Sequence, residues 1–249
     1  MFHHSPNILF DDIEARNAII RAILLASQDL WRRHKIVFDF GSKRCSKLVQ
    51  GKIPPDLLSW KLFETLCILS ILRNADRLDF KSAPNPFRKF GPLRFKENGK
   101  TRYLWYQPEI ESKITGLKAK PDIVTTSDPT IRINSNEDIS VIECKHHRVI
   151  GATLIRTEYG KARDLGVFSY LIWNWKPIKP SVVQSAKKLG LDLISIGKDS
   201  ESRQAFLREP LNLLNYVQDG IAQSRKNSNF AVVMTRTGRE TAKKMKLHK

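Results

Sequence analysis

Two short apolar runs with charges at one end constrain this chain most: KPDIVTT at residues 120–126 and ISVIECKHH at residues 139–147. Each reads as a short strand, and only a brief excursion separates them. Side chains alternate across a strand, which puts Glu143 and Lys145 on one face and Cys144 on the other. Asp122 opens the first run, and the trio Glu143-Cys144-Lys145 closes the second. Paired strands of this kind gather an acid, a second acid and a lysine at their ends, where they can hold a magnesium ion beside a phosphodiester.

Charge narrows the partner. Lys and Arg number 43 against 25 Asp and Glu, a formal net charge of +18 over 249 residues. Such an excess draws polyanions, and nucleic acid is the abundant intracellular polyanion. A membrane surface or an acidic protein is the rival. The longest apolar stretch, residues 62–72, is interrupted by Glu64 and too short to cross a bilayer. No basic-then-apolar leader opens the chain, so no secretory signal is read and a cytoplasmic protein is expected. Cys45, Cys67 and Cys144 are too scattered for a disulfide framework or a zinc cluster. Part of the charge sits in a basic end, residues 240–249, which raises the net charge without making a site.

Helical spacing predicts helices over 12–34 and 56–73, the second apolar on most sides and therefore buried. A short strand over 36–40, a basic loop over 41–52 and a loop-like stretch over 74–100 fill the gaps. From residue 101 the period changes to two, with strands expected over 101–110, 120–126 and 138–147 and turn formers over 127–138. A helix over 152–165 follows, with Gly166 where a helix C′ glycine belongs. Then come a strand over 167–175, a helix over 181–190, a strand over 191–197 and a helix over 203–224 interrupted at Pro210. This order predicts an α/β protein with a mixed central sheet flanked by helices and an N-terminal helical extension. The expected organisation is an extension over 1–100, a core over 101–200, and a C-terminal helix with basic tail over 201–249.

Phosphodiester hydrolysis calls for a cation that neutralises phosphate charge and lowers the pKa of an attacking water. Magnesium takes oxygen ligands and keeps several waters, so few protein groups suffice. Asp122 and Glu143 can supply carboxylates and Cys144 its backbone carbonyl. Lys145 can position or deprotonate the water, or stabilise phosphate charge; use as a base requires a depressed pKa. Cys144 reads as a small core residue rather than a nucleophile.

The sequence KPDIVTT followed by VIECK and then a helix and a strand resembles the PD-(D/E)XK, or restriction-endonuclease-like, nuclease superfamily over about residues 101–197 plus one upstream helix. The resemblance implies a mixed sheet flanked by helices that cuts DNA, sometimes RNA, with Mg2+, for which Mn2+ substitutes. By position Asp122 is the motif's first acid, Glu143 its second and Lys145 its lysine. The superfamily often adds an acid from the helix before the first strand, and Glu64 is the candidate, with Glu109 and Glu111 as rivals. An ionised Glu64 in a buried helix needs a metal or a partner, and Lys61, three residues earlier, is the available one. The resemblance also places the helix over 152–165 near the site, making Lys161 and then Arg156 candidates for phosphate contact. Glu158 can orient a ligand or pair with Lys161 or Arg163. His147 and Arg148 can touch phosphate or stand solvated at the strand end. Tyr170, Trp173 and Trp175 are candidates for core packing or base stacking.

The expected function is a Mg2+-dependent endonuclease acting on DNA, in restriction, transposon-end cleavage, junction resolution or repair. A homodimer or a separate targeting protein is the possible partner. The alternatives are a non-catalytic basic nucleic-acid-binding module on the same scaffold, or an RNA-directed nuclease.

Overall fold

The computed structural model describes residues 6–37, 55–80, 88–112, 115–131, 139–145, 150–174, 177–195, 204–206 and 208–227. Two helices come first, α1 (Pro6–His34) and α2 (Pro55–Arg73), then five strands, β1 (Arg77–Leu78), β2 (Phe90–Glu97), β3 (Lys100–Tyr106), β4 (Ile110–Glu111) and β5 (Lys118–Ala119). The chain continues through β6 (Ile123–Thr126), β7 (Ser140–Lys145), α3 (Ala152–Leu165), β8 (Ser169–Asn174), α4 (Pro180–Lys188), β9 (Asp192–Ser195) and α5 (Pro210–Asn227). Seven strands form one mixed sheet in the order β1-β2-β3-β6-β7-β8-β9, and β4 and β5 pair separately. Pairing is antiparallel as far as β7 and parallel from β7 through β8 to β9. The two parallel steps are bridged by α3 and α4, as a strand-helix-strand crossover requires.

Helices cover both faces. On one, Leu104, Ile123, Ile142, Cys144, Leu171 and Trp173 pack with the buried residues of α1, α2 and α5. On the other, Val124, Val141, Tyr170 and Ile172 pack with Ile155, Ala162 and Leu165 of α3 and Ala186 of α4. Strict alternation along β6, β7 and β8 thus feeds two separate cores, and β6 and β8 are buried along their whole length. Among the described residues no helix is long and apolar enough to cross a membrane.

Several sequence expectations change. The stretch 74–100 is not loop-like: β1 and β2 lie in it, and β2 turns into β3 through Asn98 and Gly99, both at positive φ. The strand expected over 101–110 stops at Tyr106, and Ile110 pairs with Ala119 in the small sheet. Residues 35–37 carry no strand, and 38–40 lie outside the described residues. The C-terminal helix is interrupted at Pro210 as expected: residues 204–206 and 208 are helical, and α5 starts anew at Pro210, because proline fits the first turn, where its missing N–H has no partner to lose. Gly166 takes the left-handed conformation at φ 57°, and its N–H closes α3 on the carbonyls of Ala162 and Arg163.

Candidate active site

The register of the central strands fixes where the acids meet. Trp105 pairs with Val124, and Val124 with Val141. One pleat further along, the same alignment brings the backbones of Gln107, Asp122 and Glu143 into a single cross-strand row; Glu143 faces α3, whereas Gln107, at φ 49°, turns its side chain to Glu64. A backbone bond from Gln107 N–H to the Asp122 carbonyl, 2.8 Å, holds that row at its outer end. Asp122 is anchored from the side as well, its Oδ2 accepting the Cys144 N–H at 2.8 Å. Cys144 enters the site through this backbone group; its thiol points to the opposite face, 3.7 Å from the Cys67 sulfur.

Glu143 is held between two lysines. Lys145 Nζ donates to its Oε2 at 2.6 Å and Lys161 Nζ to its Oε1 at 2.9 Å. Both ammonium groups also reach Glu158, at 3.3 Å from Lys145 and 3.1 Å from Lys161. Two carboxylates and two ammonium groups therefore alternate around a closed ring. The Tyr170 hydroxyl completes it, donating to Glu158 Oε2 at 2.5 Å. Glu143 and Glu158 are nearly inaccessible, and only such pairing makes two buried carboxylates tolerable.

Glu64 arrives from α2 on the other face. Its Oε2 accepts from Lys61 at 3.0 Å, from the Tyr106 hydroxyl, and from Gln107 Nε2 at 3.4 Å. Its Oε1 is buried with no hydrogen-bond donor, while Asp122, another carboxyl group, lies against it. Lys61 also donates to the Tyr106 hydroxyl at 2.5 Å, so the tyrosine relays one lysine to the acid.

The electrostatics follow from burial and crowding. Burial pushes Glu64 up, against the pull of Tyr106 and Lys61. Burial and then the neighbouring Glu64 raise Asp122 to about 6. Burial and then Asp122 raise Glu143 to about 7, despite both lysines. Burial lowers Lys145, but Glu143 and Glu158 outweigh it and hold the ammonium above its ordinary value. A base role for Lys145 needs the opposite shift, so in this arrangement the lysine acts as a cation.

Of the other candidates, Lys161 joins the ring, whereas Arg156 is exposed on α3, two residues from Glu158 and so about 200° around the helix from it. Glu109 is exposed and paired with Lys89 at 2.7 Å. Glu111 is exposed and lies opposite Lys118 in the small sheet. Neither rival joins Glu64. Trp173 is fully buried between Phe63 and Tyr216, and Tyr170 is buried with its hydroxyl in the ring, so neither offers a face for stacking. His146, His147, Arg148, Trp175, the basic loop 41–52 and the tail 240–249 lie outside the described residues. Tyr106 and Gln107 are additions that sequence reasoning missed; the one available signal was their place at a strand end facing the Asp122 strand.

Among the described residues no three His, Cys, Asp or Glu side chains stand together as a group able to hold a metal ion. The lysines occupy both oxygens of Glu143, and Lys61 and Tyr106 occupy one of Glu64. The donor chemistry nonetheless fits a hard dication, being oxygen throughout, with Glu64 Oε1 lacking any donor, Glu64 raising Asp122 and Asp122 raising Glu143. Comparison of the chain with family models, with curated proteins and with solved structures returns no match.

Proposed function

We propose that the protein is a metal-dependent nuclease that hydrolyses phosphodiester bonds of DNA. The observation that carries this reading is Asp122 with Glu64 of α2 on one side and Glu143 of β7 on the other, and Lys145 held protonated beside Glu143. Asp122, raised by burial and by Glu64, and Glu143, raised by burial and by Asp122, are a poor structural device and a good cation site. The order β3-β6-β7, followed by α3 and a β8 parallel to β7, is the sheet expected of a restriction-endonuclease-like core and supports the same reading.

Asp122, Glu143 and Glu64 Oε1 would hold Mg2+ or Mn2+. Bound there, the ion supplies charge neutralisation at the phosphate and a lowered pKa for the attacking water. Lys61 and Tyr106 fix the other oxygen of Glu64 and so orient the carboxylate. Lys145 and Lys161 place positive charge where a phosphate gains negative charge in the transition state. Glu158 keeps both lysines in place when Glu143 turns from them to a ligand. The excess of basic residues draws the polyanion in.

A second reading has its own support: with Glu143 fully paired to lysines, the site is electrostatically closed without any metal, as in a nucleic-acid-binding module. Cleavage of plasmid and single-stranded DNA in Mg2+, Mn2+ and EDTA separates the two. Metal-dependent cutting is expected from the wild type and lost in Asp122→Ala, Glu143→Ala and Lys145→Ala. DNA binding without cutting, equal in all four proteins, would favour the binding module or a missing targeting partner. Cutting of RNA in preference to DNA would keep the chemistry and change the substrate.

A further inference from the structure

Beside the acids, the same end of the sheet opens a cleft of about 530 Å³ between the start of β2 and the end of β3. Its walls include Phe90, Gly91, Trp105, Gln107, Pro108 and Ile131, a set with two aromatic rings and few charges. The volume falls in the range of small-molecule sites, roughly 300–1,000 Å³. Trp105 stands in the cross-strand row of Val124 and Val141, one pleat from the row of Gln107, Asp122 and Glu143. Two residues along a strand span about 6.6 Å, so Trp105 stands one pleat from the row that carries Asp122, on the neighbouring strand.

The indole is held in place. Its Nε1–H donates to Thr126 Oγ1 at 3.3 Å, and the ring lies against Gly91, where an added Cβ would come within 2.8 Å of Trp105 Cε3. Gly91 also sits at φ 137°, which an L side chain rarely adopts, so the strand beneath the ring stays bare. Trp105 is half-buried and lines the cleft, in contrast with the fully buried Trp173. Lys89 stands at the rim, paired with Glu109.

We infer that this cleft receives the base of an unpaired nucleotide next to the scissile phosphate, stacked on Trp105. The inference rests on the nuclease reading for the position of that phosphate. A flat, anchored aromatic surface beside a cation suits a nucleobase, because every base has a π face and stacking tolerates any sequence. A base inside a duplex is already stacked on both sides and must leave the helix to enter. The cleft therefore favours flaps, gaps and frayed ends over continuous duplex.

The test uses the full chain in EDTA, with fluorescence anisotropy of a labelled single strand, a gapped duplex and a continuous duplex, each also carrying 2-aminopurine at the unpaired position. Wild type is expected to bind the single strand and gapped duplex more tightly than the duplex and to quench the 2-aminopurine. Trp105→Ala should lose about tenfold in affinity for the unpaired substrates, the equivalent of one stacked base. Trp105→Phe, which keeps a ring in place, should recover most of it, and this separates stacking from misfolding. Equal binding of paired and unpaired DNA by wild type, or a Trp105→Ala protein that keeps both affinity and quenching, overturns the inference. Trp105-dependent binding with no cutting in Mg2+ would leave the base site standing and remove the nuclease reading. Cutting in Mg2+ that is indifferent to Trp105 would do the reverse.

Discussion

At Asp122 a carboxylate is placed where its ionisation is opposed by burial and by Glu64, and its pKa rises from 3.8 to about 6. A carboxyl group whose pKa is raised on folding binds more protons in the native state, so its stabilising contribution is complete below the unfolded value. That contribution is lost as the pH rises through the folded value. For Asp122 the loss falls between about pH 4 and pH 6 and amounts to about 3 kcal/mol by pH 8. Glu143, raised to about 7, adds in the same direction over a slightly higher window. Asp122→Asn removes the charge and keeps an oxygen to accept the Cys144 N–H. In EDTA this variant should melt above wild type at pH 8, by roughly 6–12 °C, and match it at pH 4. Thermal unfolding at both pH values measures the difference, and a variant less stable at both would show that Asp122 is a structural acid. The same substitution should abolish cutting, as expected where stability is given up for a site.

The packing of α5 on β8 gives a prediction at the level of the element. Gly220 faces Trp173 so closely that an added Cβ would lie 2.6 Å from Trp173 Cζ2. The indole cannot retreat, because Phe63 and Tyr216 meet it edge-on at centroid distances of 6.1 and 5.7 Å. Alanine gains about 1 kcal/mol in helix propensity over glycine, but overpacking a closed core costs about 1–3 kcal/mol. Gly220→Ala should therefore destabilise, by up to about 2 kcal/mol in urea unfolding; a gain would mean that α5 can slide on the sheet. Elements were legible where one physical signal dominated. Alternation marked β6 and β7, and helical spacing with Gly166 as a stop marked α3. The strand β2 escaped because Gly91, Pro92 and its basic residues argue against a strand, although Asn98-Gly99 announced the hairpin. In the site, the pairing of Lys61 with Glu64 could be read from helical spacing. The ring of Glu143, Lys145, Glu158 and Lys161 was legible only in part. Spacing puts Glu158 and Lys161 on one helix face, but which face meets β7 depends on the crossover. The hydroxyls of Tyr106 and Tyr170 depend on contacts across 42 and 12 residues, for which no local pattern exists.

The whole chain carries a net charge of +18, and its candidate site includes the acids Glu64, Asp122 and Glu143. The long-range field draws DNA in, but Glu64, Asp122 and Glu143 repel a phosphate at contact unless a cation intervenes. Binding should thus have two separable parts. The outer part is counterion release, and affinity should fall steeply with salt in every active-site variant alike. The inner part is local: in EDTA, wild type is held back by its own carboxylates, and Mg2+ or Ca2+ should tighten binding several-fold at fixed ionic strength. Asp122→Asn, with one repelling charge removed, should bind DNA more tightly than wild type in EDTA and respond less to the divalent ion. Titrations by anisotropy at matched ionic strength, with and without the ion, measure both parts. If the ion tightened both proteins equally it would be acting on the DNA or on the outer surface. The acids would then be no cation site, and the charge ring around Glu143 would be a structural clamp between β7 and α3.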